Sequence, residues 1–497
     1  LEAELARLRQ QGDASRSEIQ RLEREIAALR ARQDVHETSS AQAQNPPPGT
    51  VTGVPTRYHS GGFGPSKPVA PDADHQPIVR AGYGYNGDAT GPLGGGGHFK
   101  AATADDEFSV AITAQVTVDG TFYNHNKMPT DEQGFNIPFA RLYLYGNITK
   151  SVSYQVGVQG FLGTFNLLDA FFGWHLYKHL TLRFGKGLTP PLYEYFAFNP
   201  ALEPVITNSP LFQLAAKRPI GVVLTGTLAG ERLGFWAGVS NSGTSLFGNL
   251  DNNVDFNAHV ELNPFRGERW KDGILEGLGA GVGFSVGKQR YALQQSGIAL
   301  TNNGEATTNA SFVTVVGLPW YVYNDDVRAD GQRYRLAPHL YYFGRVSVLG
   351  EYMFHRRDLT NGTRGGMSTQ HAYYVNGSVW LTGERDFKGS AFQAYATVEP
   401  RRPLGRGSRG PGAFQLAGQW SQFFAGERDI DRGLVDRTRS TERMDNVMAG
   451  LNWWPNKHVR ITANYVKTWF DEAIPIRSSG RNLSSYQTAW FRFALFL

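Results

Sequence analysis

The C-terminal twelve residues, Tyr486–Leu497, read YQTAWFRFALFL. Successive side chains of a β-strand point to opposite faces, so an extended chain sorts this stretch into two sets. One set is Phe491, Phe493, Leu495 and Leu497, and the other is Arg492, Ala494 and Phe496. An apolar face opposite a face that carries arginine is typical of a strand with lipid on one side and water on the other.

Stretches with this alternation recur after Asp105, each about ten residues long. We place sixteen strands, at Glu107–Phe122, Ile137–Ile148, Val152–Leu162, Leu167–Leu176, Leu180–Gly187, Arg218–Leu228, Leu233–Ser240, Val254–Leu262, Leu275–Val286, Arg333–Tyr342, Val346–His355, Ala372–Leu381, Ala413–Phe423, Val447–Trp454, Val459–Trp469 and Tyr486–Leu497. An even strand number is typical of single-chain outer-membrane barrels. The sequence therefore predicts an all-β transmembrane barrel of about 16 antiparallel strands over residues 105–497.

The connections between these strands alternate in length. Short ones are Thr149–Ser151, Tyr177–His179, Ala229–Glu231, Gly344–Arg345 and Pro455–His458. Long ones are Asn124–Asn136, Leu188–Lys217, Asn241–Asn253, Lys288–Gln332, Arg356–His371, Ala425–Asn446 and Asp471–Ser485. Short periplasmic turns opposite long external loops are the outer-membrane barrel pattern. Asn263–Ile274 and Thr382–Gly412 break this alternation, and a count that differs by two strands is the alternative there.

Composition excludes several classes of protein. The chain has 497 residues, no cysteine and a formal net charge of +5, which rules out disulfides and thiolate metal sites and gives no reason to expect a nucleic-acid partner. It contains no apolar run of about 18 residues, so no transmembrane helix is predicted. The chain starts at Leu1 without a leader-like segment, and we expect a signal peptide to have been removed.

The N-terminal residues have a different pattern. Over residues 1–34 the apolar positions follow a heptad repeat, with Gly12 and Ser15 interrupting the seam, and this predicts an α-helical coiled coil; the alternative is a single amphipathic helix. Residues 35–104 are rich in Pro, Gly, Ser and Gln, with no strand or helix period, and they predict a disordered linker. Three regions result, namely coiled coil, linker and barrel.

Alternation also assigns residues to the lumen. Leu142 and Leu144 take the lipid face, so their neighbour Arg141 points inward. An arginine facing lipid near the midplane would cost about 2–4 kcal/mol. The pore-lining candidates are Arg141, Arg183, Arg335, Arg460 and Arg492. Such a lumen would attract anions. The alternative is structural, in which the arginines pair with groups across the wall, Glu351 being one candidate partner.

Motifs for catalysis or for cofactor binding are missing. The 12 histidines are scattered, without HExxH or paired spacing, and there is no GxSxG elbow. The glycine run at Gly91–Gly97 precedes no strand-to-helix unit, so it is not a phosphate-binding loop. We expect no enzyme activity, no cofactor and no metal.

Five stretches resemble the phosphate-selective porin O and P family and follow its order. They are ARLYLYGNITKSVSYQVGV at Ala140–Val158, LTLRFGKGLTPPLYEY at Leu180–Tyr195, RYRLAPHLYYFG at Arg333–Gly344, GSVWLTGE at Gly377–Glu384 and GLNWWPNKHVRITANYV at Gly450–Val466. The resemblance implies a trimeric barrel of sixteen strands whose third loop folds inward and narrows the pore. That loop would be Leu188–Lys217, and we refer to it as the third loop. Its constriction candidates are Lys186, Tyr193, Glu194, Tyr195, Lys217 and Arg218.

These features together predict an outer-membrane porin of a diderm bacterium for passive diffusion of small hydrophilic solutes. The inward arginines give it an anion preference, and the family resemblance alone suggests phosphate. Expected partners are two further copies in a homotrimer, outer-membrane lipid and lipopolysaccharide, small anions, and peptidoglycan through a periplasmic coiled coil. The alternative function is a largely plugged barrel that tethers the membrane to the periplasm.

Overall fold

The computed structural model describes residues 80–86, 96–103, 105, 107–123, 134–161, 164–187, 191–197, 199, 201–215, 218–242, 248, 249, 251–271, 273–293, 310–386, 394–405, 407–475 and 482–497. The predicted coiled coil and Lys217 lie outside the described residues. Among the described residues, no helix has the length and apolar character needed to cross a membrane.

The described part of the chain is mostly strand. In chain order the strands are β1 Arg80–Asn86, β2 Gly96–Ala102, β3 Ser109–Tyr123, β4 Gly134–Thr149, β5 Val152–Phe161, β6 Thr164–Tyr177, β7 Leu180–Lys186, β8 Ile220–Leu228, β9 Leu233–Asn241, β10 Val254–Leu262, β11 Leu278–Ala292, β12 Ser311–Val313, β13 Pro319–Val322, β14 Arg328–Tyr342, β15 Val346–Thr360, β16 Gly365–Trp380, β17 Leu404–Gly405, β18 Ser408–Arg409, β19 Ala413–Phe424, β20 Arg443–Asn456, β21 Val459–Pro475 and β22 Asn482–Phe496. The α-helices are α1 Tyr193–Ala197 and α2 Glu427–Asp431, and 3-10 turns cover Pro210–Leu214, Glu268–Trp270, Ile274–Gly277 and Arg437–Arg439.

Sixteen of these strands form a closed antiparallel barrel. Each strand from β3 to β22 pairs with its sequence neighbours in the sheet, apart from the two short hairpins β12–β13 and β17–β18. The barrel closes where β22 pairs with β3, with Phe491 opposite Gly120. All sixteen predicted strands are confirmed.

Several boundaries differ from the prediction because pairing continues beyond the apolar part of a strand. β15 runs to Thr360 and β16 begins at Gly365, so the predicted long loop Arg356–His371 is wrong and a four-residue turn replaces it. Arg356, Arg357 and Asp358 are three consecutive polar residues, so the alternation that predicts a strand stops before this extension. β21 and β22 lengthen in the same way and shorten the connection Asp471–Ser485.

The barrel has apolar side chains on its outer face, and its inner face carries polar and charged side chains together with buried apolar ones such as Met353 and Phe423. Leu142 and Ile461 are 47% and 36% exposed on the outer face, and Phe493 is 44% exposed. On the inner face, Gln115 and Arg335 are fully buried. A soluble protein buries its apolar side chains instead, so this distribution is that of a barrel whose outer face meets lipid.

Two strands lie in the segment for which the sequence predicts a disordered linker. β1 and β2 form an antiparallel hairpin, and β2 pairs with the first residues of β3, beyond the end of β22. A strand is predicted from apolar side chains at alternate positions. In β1 and β2 several of those positions are glycine, namely Gly82, Gly84, Gly96 and Gly97. The linker prediction is therefore wrong for residues 80–86 and 96–102.

Candidate pore site inside the barrel

The first half of the third loop is fixed to the opposite wall at α1. The backbone amides of Tyr193 and Glu194 donate to the two carboxylate oxygens of Glu351 on β15, at 2.6 and 3.0 Å. Unpaired amides at a helix N-terminus favour a carboxylate, so Glu351 acts as the cap of α1. The sequence suggested Glu351 as a partner for an arginine. In the structure, its described hydrogen bonds include those from these two backbone amides.

The second half of the loop is held by inward arginines. Arg460 donates to the carbonyl oxygens of Ala201, at 2.7 Å, and Glu203. Arg492 Nη1 donates to the Ile206 carbonyl at 2.7 Å, and Arg335 Nε donates to the Leu214 carbonyl at 2.9 Å. Asparagines on the same wall add two bonds. The Asn452 side-chain amide donates to the Pro204 carbonyl oxygen, and the Ile206 backbone amide donates to the Asn464 side-chain oxygen.

Carboxylates on the wall neutralise part of this positive charge. Asp119 accepts from Arg492 Nε and Nη2, both at 2.7 Å, which is a forked pair. Asp255 contacts Arg335 at 3.4 Å and Arg333 at 2.5 Å. Arg335, Arg460 and Arg492 are buried and have several donors bonded, among them donors to loop carbonyls, so they position the loop. Their pore-lining role stays a prediction.

Arg141 belongs to the same network. Its Nε donates to Gln159 at 2.7 Å, and Nη1 donates to Asn199 of the third loop at 3.4 Å. The Asn199 amide in turn donates to Gln115 on β3 at 2.7 Å. Four of the five predicted pore arginines, namely Arg141, Arg335, Arg460 and Arg492, therefore contact the third loop.

Arg183 differs from the other four because its side chain is exposed. Its guanidinium lies 5.1 Å from the centre of the Phe171 ring. It lines a cavity of about 380 Å³ at the end of the barrel that carries the short turns, and we call this cavity the vestibule. The vestibule is lined by His98, Lys100, Ser109, Ala111, Tyr145, Gly146, Asn147, Ser153, Tyr154, Gln155, Phe171, His175, Thr181 and Arg183. These described lining residues include Lys100 and Arg183 and no carboxylate.

The remaining constriction candidates lie where the third loop leaves and rejoins the wall. Lys186 Nζ donates to the Arg218 carbonyl at 2.8 Å, and the Arg218 guanidinium forms a buried ion pair with Asp169 on β6. The rings of Tyr193 and Tyr195 are buried, and Tyr195 packs edge-on against Phe212 of the same loop. Lys186 and Arg218 therefore hold the two ends of the third loop together, and the two tyrosines are part of its buried packing.

Two buried acids lie within the third loop. Glu194 accepts from the backbone amide and the hydroxyl of Ser209, both at 2.5 Å. Burial raises the pKa of Glu194 to about 7. Burial and the nearby Glu194 carboxylate raise the pKa of Glu203 well above its ordinary value. Ionisation of both acids at once is therefore unfavourable at neutral pH.

Two further segments enter the lumen and contact the third loop. Gln213 pairs with the backbone of Val313 in the β12–β13 hairpin, with both bonds at 2.7 Å. From the opposite end, the Ala394 amide donates to the Ala197 carbonyl at 3.0 Å. Apolar residues of all three segments share one buried cluster, among them Phe212, Trp320 and Tyr395. The sequence predicted the β12–β13 hairpin and the segment that contains Ala394 only as irregular connections between strands. Nothing in the local sequence signals that either of them turns into the lumen.

A match to one family model supports a porin-type barrel over part of the chain. The family model of phosphate-selective porin O and P matches residues 321–472, which include three of the five resembling stretches. No curated protein matches the sequence.

Solved structures of low sequence identity are similar in outline. The trimer form of OmpT from Vibrio cholerae has 13% identity and a TM-score of 0.47, with 79% of this chain and 100% of that chain covered. An anion-selective porin from Comamonas acidovorans has 12% identity, the same coverage and a TM-score of 0.47. The channel DcaP of Acinetobacter baumannii has 10% identity and a TM-score of 0.43, with 79% and 98% covered.

The closed barrel and the family match indicate a porin-type protein of the outer membrane. The resemblance to the phosphate-selective porin O and P family is thus confirmed, with residues 321–472 as the part of the chain that matches it.

Proposed function

We propose that this protein is a narrow outer-membrane channel for small hydrophilic solutes, in which the third loop forms the constriction. The observation that carries the proposal is the set of hydrogen bonds from Arg335, Arg460 and Arg492 to the loop's carbonyl oxygens. They fix the loop against strands on the far side of the barrel. A loop bonded to the opposite wall reduces the open cross-section to whatever space remains beside it.

An anion preference is the second part of the proposal, and the vestibule supports it. Arg183 and Lys100 line it, and no carboxylate is among its described lining residues. Fixed positive charge in a confined, partly desolvated space raises the local concentration of anions. The buried arginines contribute less, because carboxylates such as Asp119 and Asp255 neutralise part of their charge. Phosphate rests on the family resemblance.

A plugged barrel is the second candidate, and one observation favours it. Three segments meet in the lumen, joined by the bond from Ala394 to Ala197 and by the bonds between Gln213 and Val313. Their contact is apolar and buried. A lumen filled in this way suits a barrel that anchors something else to the membrane. The predicted coiled coil, reaching peptidoglycan, would be the anchor, with three protomers bundled in a homotrimer.

Planar-bilayer recording of the purified full chain separates the two candidates. Stepwise conductance that reverses at an anion-favouring potential in a KCl gradient is the expected result for the channel. Cross-linking in detergent, with the trimer as the expected product, tests the assembly. Insertion without any conductance, shown by heat-modifiable migration of the same sample, would contradict the channel and support the plug.

A further inference from the structure

A cluster of two histidines and one glutamate lies on the inner wall beside α1. His259 and Glu261 are two residues apart on β10, so their side chains share the inner face. The Nε2 atoms of His259 and His339 lie 3.0 and 2.9 Å from the same Glu261 oxygen, Oε2. The three ligating atoms all lie within 4.8 Å of one another, and all three side chains are buried. We propose that this cluster binds a divalent transition metal ion, Zn²⁺.

The register of three strands builds this arrangement. Glu261 on β10 pairs with Gly281 on β11, and Gly281 pairs with His339 on β14, so the three residues form one row. A Cβ atom at Gly281 would lie 2.6 Å from both Glu261 Oε2 and His339 Cε1. Because glycine has no side chain there, the two functional groups meet across the middle strand. A buried row that depends on glycine is a built site rather than a chance encounter of surface residues.

The donor set matches the chemistry of zinc. Two imidazole nitrogens and one carboxylate oxygen are a standard three-ligand set, with bonds of about 2.0–2.2 Å to the ion. Tetrahedral bonds of that length place the donor atoms roughly 3.3 Å apart, slightly more than the distances between the nitrogens and the oxygen here. A small outward movement of the side chains would therefore admit the ion. A water molecule or the Tyr341 hydroxyl, which already donates to Glu261 Oε1, is available as a fourth ligand.

Neighbouring groups orient the ligands and provide an access path. The Tyr341 hydroxyl oxygen also lies 2.8 Å from Asn263 Oδ1, which links the cluster to a cavity of about 330 Å³ lined by Asn263 and Phe343. This cavity lies at the end of the barrel where β10 ends and β11 begins. On the other side, the Tyr193 ring stacks on the His339 ring with their centres 4.0 Å apart. A bound ion would therefore hold α1 of the third loop in place through His339 and Tyr193.

Metal binding to the purified full chain tests the proposal directly. The protein in detergent is stripped with a chelator, incubated with ZnCl₂ and passed through a desalting column, and bound zinc is measured by mass spectrometry. One zinc ion per chain is expected. Isothermal titration with ZnCl₂ then compares His259→Gln, His339→Gln and Glu261→Gln with the unmodified chain. Each variant should bind zinc at least about 10–100-fold more weakly, since loss of even an outer-shell partner costs that much.

His355→Gln is the matched control, because His355 is also a buried lumen histidine and bonds to Gln370 rather than to a carboxylate. Its affinity for zinc should equal that of the unmodified chain. Heat-modifiable migration shows that each variant is folded. Absence of stoichiometric zinc on the folded, unmodified chain would overturn the proposal, and so would equal binding by the three ligand variants. Neither readout depends on conductance, so the proposal stands or falls separately from the channel.

Discussion

Arg492 and Ile206 are 286 residues apart in the chain, and the Arg492 guanidinium donates to the Ile206 carbonyl oxygen at 2.7 Å inside the barrel. The same guanidinium makes a forked pair with Asp119 on the adjacent strand. One side chain thus joins the closing seam of the barrel to the third loop. Its loss would remove a loop contact and leave a buried carboxylate uncompensated.

Arg492→Met should lower the free energy of unfolding by roughly 3–5 kcal/mol, the usual cost of removing one partner of a buried ion pair. Urea unfolding followed by tryptophan fluorescence measures this change. Asp119→Asn combined with Arg492→Met should recover much of the loss, since no unpaired charge remains. A double variant that is as unstable as Arg492→Met would show that Asp119 is not the partner that matters.

Glu351→Gln should loosen α1 of the third loop by roughly 1–3 kcal/mol, because glutamine offers one acceptor oxygen where Glu351 offers two, which leaves one buried amide without its bond. Hydrogen exchange of a peptide covering Tyr193 and Glu194 should become faster, and channel current should become noisier. Glu268→Gln provides the control, because Glu268 is exposed on the connection between β10 and β11. Unchanged exchange in Glu351→Gln would mean that the cap does not hold the loop.

Arg183→Glu should move the reversal potential in a KCl gradient toward cation selectivity, since it replaces one of the two vestibule cations, Arg183 and Lys100, by an anion. Lys178→Glu makes the same change of charge on the turn between β6 and β7, outside the residues that line the vestibule. It should have little effect. Equal shifts in both variants would attribute selectivity to net charge rather than to the vestibule.

Raising the pH should destabilise the packed third loop. Burial raises the pKa of Glu194 from an ordinary 4.5 to about 7. An acid with a raised pKa in the folded state contributes stability below pH 4.5, and that contribution is lost as the pH rises through about 7. Exchange of third-loop amides, corrected for the intrinsic pH dependence, should therefore increase between pH 5 and pH 8. In Glu194→Gln the corrected exchange should depend less on pH, with buried Glu203 accounting for what remains, and a slope equal to that of the unmodified chain would refute this origin.

The barrel could be predicted from sequence because alternation is local. Leu142 and Leu144 face outward as predicted, since their orientation is decided by their own strand. The partners of the inward arginines could not be predicted, because Arg460 meets Ala201 through the folding of a distant loop. The cluster of His259, Glu261 and His339 was missed for a similar reason. Only the His-x-Glu spacing on one strand was visible, and the third residue depends on the register of β11 and β14.

The pairing of β22 with β3 joins the first and last strands of the cylinder, with Leu497 also donating to the Ala114 carbonyl. Such a contact has the largest sequence separation in the barrel, and its loop-closure entropy must be overcome before it forms. Pairing of β22 with β3 should therefore be the final and slowest step of barrel assembly. Until it occurs, both strands expose unpaired backbone groups that another chain could capture. A chain truncated before β22 would keep that edge permanently and should aggregate or be degraded rather than accumulate in the membrane.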